Sequence, residues 1–302
     1  FKSAAVDVNI IVVKKEENKN VVNAAHFKND YQEGDSIANY FENNKVTLSD
    51  LTDEIWFIGN LAEIALKQKM KEIGTPIMDW ELKIYYGVKT GYNNAFIIDE
   101  AKRIELIAKD PKSEKIIKPI LRGRDIKRYG YNFAGLYLIA TLPALKLDIN
   151  NYSAIRDYLQ SFGKKLHQTG EKFIDENGRE VKSRKRTGNQ WFETQDPIAY
   201  YSEFDKEKLV WAETDVQVST CIAEPDMFLQ KTCFMIIGKN LKYISGVLNS
   251  KITDFFMRSE SCELGESGLA LTKKSMIRNP IPLIIPENNH LVDQIEEFVE
   301  LR

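Results

Sequence analysis

Apolar positions recur three and four residues apart in three stretches of the chain, and each predicts a helix. Ile55, Ile58, Leu61, Ile64, Ala65 and Leu66 share one face of a helix that Thr52 or Asp53 can cap and that Gly74 and Pro76 stop. Ile155, Tyr158, Leu159, Phe162 and Leu166 mark a second over 152–166. Leu241, Ile244, Val247, Leu248, Ile252, Phe255 and Phe256 mark the strongest helix in the chain. Shorter helices are expected over 101–110 and from Leu291 onward.

Other apolar runs are too short for helices and sit between turn formers, which predicts strands. Residues 4–13 read as a buried strand at the very start, so the chain is expected to begin inside a longer protein. Residues 14–44 are polar and weakly periodic, a loop or a hairpin. Gly87, Gly91, Asn93 and Asn94 separate Ile84-Tyr85-Tyr86 from Ala95-Phe96-Ile97-Ile98 and predict strand, turn and strand. Strands are expected at 136–140, 209–211, 216–222 and 227–237, a flexible stretch at 263–267 and a proline-bounded extended piece at 280–286. Residues 168–190 hold almost no apolar side chains and read as an exposed loop or hairpin. The predicted fold is α+β, with mixed, mostly antiparallel strands and two to three packed helices.

Composition, 43% hydrophobic and 28% charged, places the chain in the soluble globular class, and no apolar run approaches the length of a membrane span. Cys221, Cys233 and Cys262 are odd in number and widely spaced, so a reducing, cytoplasmic setting is expected, without a disulfide framework or a thiolate zinc site. The net charge of −2 excludes a protein that coats nucleic acid indiscriminately. Its distribution is uneven. Residues 102–131 carry ten basic side chains against four acidic ones, and residues 164–190 carry eight against four. Such separation can create a face that attracts phosphate, or can simply solvate exposed loops.

Catalytic signatures are missing. Lys89-Thr90-Gly91 and Ser161-Phe162-Gly163-Lys164 mimic elements of penicillin-interacting serine enzymes in reversed chain order. Pro225-Asp226 lacks the acid-x-Lys partner of a metal-dependent nuclease, and His26, His167 and His290 have no metal-ligand spacing. No glycine-rich segment has the strand-loop-helix setting that cradles a nucleotide. Asn279-Pro280-Ile281-Pro282 has a displaced second proline and no aromatic, so it cannot hold a flipped adenine as an N-P-P-Y loop does. No catalytic or metal-ligating residue is assigned.

Residues 84–99, Ile-Tyr-Tyr-Gly-Val-Lys-Thr-Gly-Tyr-Asn-Asn-Ala-Phe-Ile-Ile-Asp, closely resemble a motif that opens the TaqI-like specificity domain of adenine-N6 DNA methyltransferases, including fused Type IIG restriction-modification enzymes. Leu121-Arg122-Gly123-Arg124-Asp125-Ile126-Lys127-Arg128-Tyr129, Gln190-Trp191-Phe192-Glu193 and Lys208-Leu209-Val210-Trp211 match further elements in order. Residues 243–256 with Ile281-Pro282-Leu283 resemble the end of such a domain and the target-recognition regions of Type I specificity subunits. The resemblance implies a remnant of a methyltransferase domain and linker over 1–50, a connecting helix over 51–80 and a DNA target-recognition domain over 81–302. It implies double-stranded DNA and the methyltransferase domain of the same bacterial parent chain as partners, with no membrane. S-adenosylmethionine would be bound by the parent before residue 1, and no cofactor by this stretch. A Type I-like adaptor subunit and a protein-interaction scaffold in a phage-defence methylase are the competing readings.

Reading a sequence requires phosphate contacts for position and base-edge contacts for discrimination. Lys89, Thr90, Tyr92, Asn93 and Asn94 on the first turn, Arg122, Arg124, Lys127 and Arg128 on the second, and Lys182, Arg184, Lys185, Arg186, Asn189 and Gln190 on the polar loop are the DNA-contact candidates. For residues 87–94 the alternatives are a tight turn alone or a turn that also touches DNA. Arg122 can instead pair internally with Asp125. Residues 182–190 are the favoured groove-inserting loop, with Trp191 and Phe192 as its core anchors.

Overall fold

The computed structural model describes residues 10–17, 19–27, 30–49, 56–261, 264 and 268–302. Its centre is an antiparallel sheet in the order Thr220–Ala223, Lys208–Ala212, Cys233–Ile237, Lys83–Tyr86. Successive side chains on a strand face opposite ways, and here both faces are buried. Val210, Cys221, Cys233 and Met235 enter one core, while Leu209, Trp211, Phe234 and Ile236 enter another. Trp211 stacks on Phe234 at 5.0 Å and donates its indole N–H to the Leu271 carbonyl at 2.9 Å, so its polar edge is satisfied inside the core.

A second sheet, in the order Phe228–Leu229, Ile117–Leu121, Leu136–Ile139, Ile97–Asp99, lies over the first core. It is antiparallel except where Phe228–Leu229 runs parallel to Ile117–Leu121. Helix Glu100–Lys109, capped by the Asp99 side chain, contributes the buried Leu106 to this core, and Ser153–Gln160 contributes Ile155 and Leu159. The other face of the central sheet is covered by helices Leu241–Leu248, Lys251–Glu260 and Asn289–Glu300. The fold is thus mixed α+β with mostly antiparallel strands, as the pattern predicts.

Several local expectations are corrected. Residues 10–13 form no strand and are exposed, residues 1–9 lie outside the described residues, and 14–44 contribute a strand, Val21–Ala24, and a helix, Ile37–Asn44, that lead into the paired strand Val46–Ser49. The first long helix is Leu61–Ile73; Asn60 and Glu63 close its capping box, whereas Thr52 and Asp53 lie outside the described residues. The helix expected over 152–166 stops at Gln160, and a separate 3-10 turn, Gly163–Leu166, follows. The apolar period over 241–256 is interrupted at Asn249, whose amide turns away to bond both the N–H and the carbonyl of Thr220 at 2.9 Å, and Ser250 caps a second helix. Strands flank 87–96 as expected, but Ala95 and Phe96 close a short helix, Asn93–Phe96, and Ile84 and Ile98 belong to different sheets.

Helix Leu61–Ile73 is held to the rest by Lys67, whose ammonium meets the Glu260 carboxylate at 2.8 Å in buried surroundings, with Lys71 and Arg278 within 3.6 Å of the same carboxylate. Burial alone would raise the Glu260 pKa, but Lys67 and its two companions hold it below the usual range. The following strand Gly74–Pro76 pairs with Pro280–Pro282, joining the segment before residue 81 to the last strand of the chain.

Lys208 is a buried cation on the central strand, its Nζ donating to the Glu224 carbonyl at 2.6 Å. Desolvation pulls its pKa down to about 8 against the pull of Asp226 and Asp205. A lysine with a depressed folded pKa disfavours folding while it must be charged, and that cost is relieved as pH rises from about 8 toward the unfolded value near 10.4. Between pH 7.5 and 9.5 the wild type is therefore expected to gain roughly 1–2 kcal/mol relative to Lys208→Met. Paired urea melts at the two pH values check this, and parallel behaviour of the two proteins would contradict it.

Candidate nucleic-acid interface

Two of the crossings between the two sheets, through residues 87–96 and through 230–232, run side by side. The Val88 N–H donates to Leu229 at 2.6 Å, the Lys231 N–H donates to Val88 at 3.0 Å, and the Gln230 N–H donates to Leu121 at 2.8 Å. The approach is so close that a Cβ on Gly87 would lie 2.0 Å from the Gln230 carbonyl oxygen. Only glycine fits there. Gly91, at φ +78°, makes the bend that follows. Thr90 is buried, its hydroxyl donating to the Asn93 side chain at 2.7 Å and accepting the Tyr92 N–H at 3.2 Å. Lys89 is half-buried, and its carbonyl accepts the N–H groups of Gln195 and Asp196. Tyr92 packs edge-on to Phe162 at 5.9 Å, which leaves Asn93 and Asn94 as the exposed polar side chains of this crossing.

Residues 168–187 form a hairpin built on the pair Lys172–Ile174 and Glu180–Lys182, extended toward its base by Ser183 N–H to Glu171 and Gly170 N–H to Arg184. Its tip is closed by Asp175, which accepts the backbone N–H groups of Asn177 and Arg179 at 3.0 Å; with Lys165 alongside, these hold its pKa below the usual range despite some desolvation.

The base of the hairpin is not the exposed loop that its composition suggests. Gln168, Ser183 and Arg184 are buried. The Arg184 guanidinium donates to the carbonyls of Leu166 at 2.8 Å, Thr90 at 2.9 Å, Glu193 at 2.7 Å and Trp191 at 2.6 Å, and lies 5.0 Å from the centre of the Phe96 ring. Burial lowers its pKa to about 10, which leaves it cationic at neutral pH. Four of the five guanidinium N–H donors are committed to the fold, and the side chain is buried away from any surface that DNA could reach. Arg184 is therefore withdrawn from the contact candidates, and so are Thr90 and Asn189, whose amide is spent on the carbonyls of Thr194 and Gln195.

Arg184 instead joins the three segments that carry the first turn, the polar hairpin and the Gln190-Trp191-Phe192-Glu193 element. Phe192 is buried in the core with Trp191 against it at 5.7 Å, which matches their reading as anchors. On the joined segments Lys182, Lys185, Arg186 and Gln190 are exposed, and none forms an ion pair among the described residues.

The second basic cluster divides. Arg122 grips Asp125 through two contacts, 2.9 and 2.7 Å, and its N–H adds a third at 2.8 Å, so the internal-pair reading holds for this arginine. Burial would raise the Asp125 pKa, yet these bonds hold it low. Arg128 donates to the Asn249 carbonyl beside Tyr129. Arg124 and Lys127 stay exposed, without a salt bridge among the described residues, on the rim of a cleft shared with Glu213 and Gln230. Those two residues were not legible in the sequence, because they reach the cleft from strand ends far downstream of the 122–128 cluster and belong to no motif.

The crossings and the riveted hairpin define a mixed scaffold that presents polar and basic side chains on ordered loops, the layout of a specificity domain. Residues 118–282 match the TaqI-like C-terminal specificity domain, and the chain belongs to that family. Among solved structures it is similar to the Type IIL restriction-modification enzyme MmeI, solved in complex with DNA, at 15% identity and a TM-score of 0.48 over 85% of this chain and 31% of that one. It is also similar to the type IIG restriction endonuclease BpuSI, at 13% identity and a TM-score of 0.50 over 79% of this chain and 28% of that one. The second likeness is one of fold, and the chain spans less than a third of either enzyme. No curated protein sequence matches it. Among the described residues, no helix is long and apolar enough to cross a membrane.

Proposed function

We propose that this chain reads the base sequence of duplex DNA as the target-recognition region of a Type IIG-like restriction-modification adenine-N6 DNA methyltransferase, and presents the target adenine to the methyltransferase domain of the same parent chain. The observation that carries this reading is the convergence on Arg184 of the first turn and the polar hairpin, which leaves Asn93, Asn94, Lys182, Lys185, Arg186 and Gln190 exposed on segments held in fixed relation. Cations supply phosphate contacts, and amides supply the paired donors and acceptors that recognise adenine. Family membership supports the same assignment.

Chemistry would belong to the parent. The glycines at 87 and 91 do not form a cradle for S-adenosylmethionine, because the Gln230 backbone fills the space beside Gly87 and Arg184 with Gln195 fills that beside Gly91. The reading is tested by fluorescence anisotropy with labelled duplexes across salt concentrations. Binding is expected to weaken linearly in log–log form, with a slope of about −4 if four or five cations each displace a counterion. Absence of any salt-dependent binding would overturn it.

A further inference from the structure

Beside the 122–125 turn lies a cleft of about 560 Å³, closed on its far side by residues 212–216 and lined between them by Gln230 and Thr232. Its walls are fixed. The Arg122–Asp125 pair locks one turn, the Glu213 N–H donates to the Thr232 carbonyl at 2.8 Å, and the Gln230 N–H donates to Leu121 at 2.8 Å. The side chains inside are of two kinds. Asp215 spends a carboxylate oxygen on the Val216 N–H at 2.7 Å. The half-buried Glu213 carboxylate and Gln230 carboxamide, by contrast, make no side-chain hydrogen bond among the described residues. Neither is among the buried side-chain atoms that lack a partner, so both stay in contact with water and open to a ligand that enters the cleft.

We propose that this cleft is a base-reading subsite, which takes the major-groove edge of a base pair bearing an exocyclic amino group, with Glu213 and Gln230 as the specificity-determining side chains and Arg124 and Lys127 on the flanking phosphates. The inference rests on the DNA-reading function proposed above and adds Glu213 and Gln230, two residues that no sequence motif marks, beside the basic turn. A carboxylate accepts from the amino group of cytosine, and a carboxamide bridges the amino group and ring nitrogen of adenine. The exposed cations at the rim suit a polyanion that crosses the mouth. A small free anion is disfavoured by Glu213 and Asp215 within the cleft, and a metal ion finds no group of three His, Cys, Asp or Glu side chains among the described residues.

The test is selection of bound duplexes from a random pool by the wild type, Glu213→Gln and Gln230→Leu, with melting curves and salt slopes measured for each. Glu213→Gln keeps the side-chain shape. It is expected to relax preference at one position of the selected motif by roughly 5- to 150-fold, the worth of one good base-edge contact, while the salt slope stays unchanged. Gln230→Leu is expected to relax the same position or its neighbour. If the wild type selects no motif, the DNA-reading function itself fails. If the wild type selects a motif and both variants return it unaltered, or bind every sequence uniformly less well, the cleft is not a base-reading site while the function stands.

Discussion

Arg184→Met is expected to destabilise the chain by about 4 kcal/mol, the cost of leaving several buried carbonyls without the donors that satisfy them. Against a typical total of about 5–15 kcal/mol, a loss of that size is a large fraction of the margin. The four acceptors come from residues 90, 166, 191 and 193, so the damage should spread through both the first turn and the hairpin. Arg184→Lys should recover only part of the loss, because one ammonium cannot reproduce a planar fork that reaches four carbonyls. Urea denaturation followed by circular dichroism measures both variants. A change below about 1 kcal/mol accompanied by lost DNA binding would place the guanidinium at the DNA instead.

Two residues along, the same chemistry has the opposite consequence. Lys185→Ala combined with Arg186→Ala is expected to leave the melting curve almost unchanged, since both side chains are exposed and form no salt bridge among the described residues. Affinity for any duplex should fall roughly 10- to 100-fold at about 0.1 M salt, and the salt slope should become shallower by about 2, one unit for each lost phosphate contact. Anisotropy titrations read both quantities. An unchanged slope would remove the hairpin from the interface, and a collapsed melting curve would move these residues into the fold.

The contrast between Arg184 and Arg186 shows where sequence reading stops. Lys182-Ser183-Arg184-Lys185-Arg186 is a uniform basic run to the eye, yet its second and third residues turn inward. The partners of Arg184 are backbone carbonyls, which every residue has and no residue type announces. Arg122 was more legible, because its partner Asp125 stands three residues away and carries a visible charge. Helix Glu100–Lys109 was legible for a similar local reason, with periodic apolar positions and an Asp99 cap in the sequence itself.

Where the competing contact was distant, periodicity misled. The helical period over 241–256 shows no interruption, but Asn249 is drawn to Thr220 on a neighbouring strand, and the helix divides there. The pattern on either side of 87–94 shows two strands and a turn, but not which strands they pair with. Each strand in fact finds its partner more than thirty residues away, at 233–237 and 136–139, and the glycine at 87 serves a crossing rather than a turn. Lys208 looks like a solvated charge at the edge of an apolar run, and only the fold reveals that it is enclosed beside the Glu224 carbonyl.

Selection of duplexes from a random pool by the intact chain tests the central claim most directly. A reader of DNA sequence must enrich one discrete motif over successive rounds, and must bind that duplex more tightly than a scrambled control at the same salt concentration, by at least about 10³-fold. Recovery of an unenriched pool, with all duplexes bound alike at every salt concentration, would contradict the account.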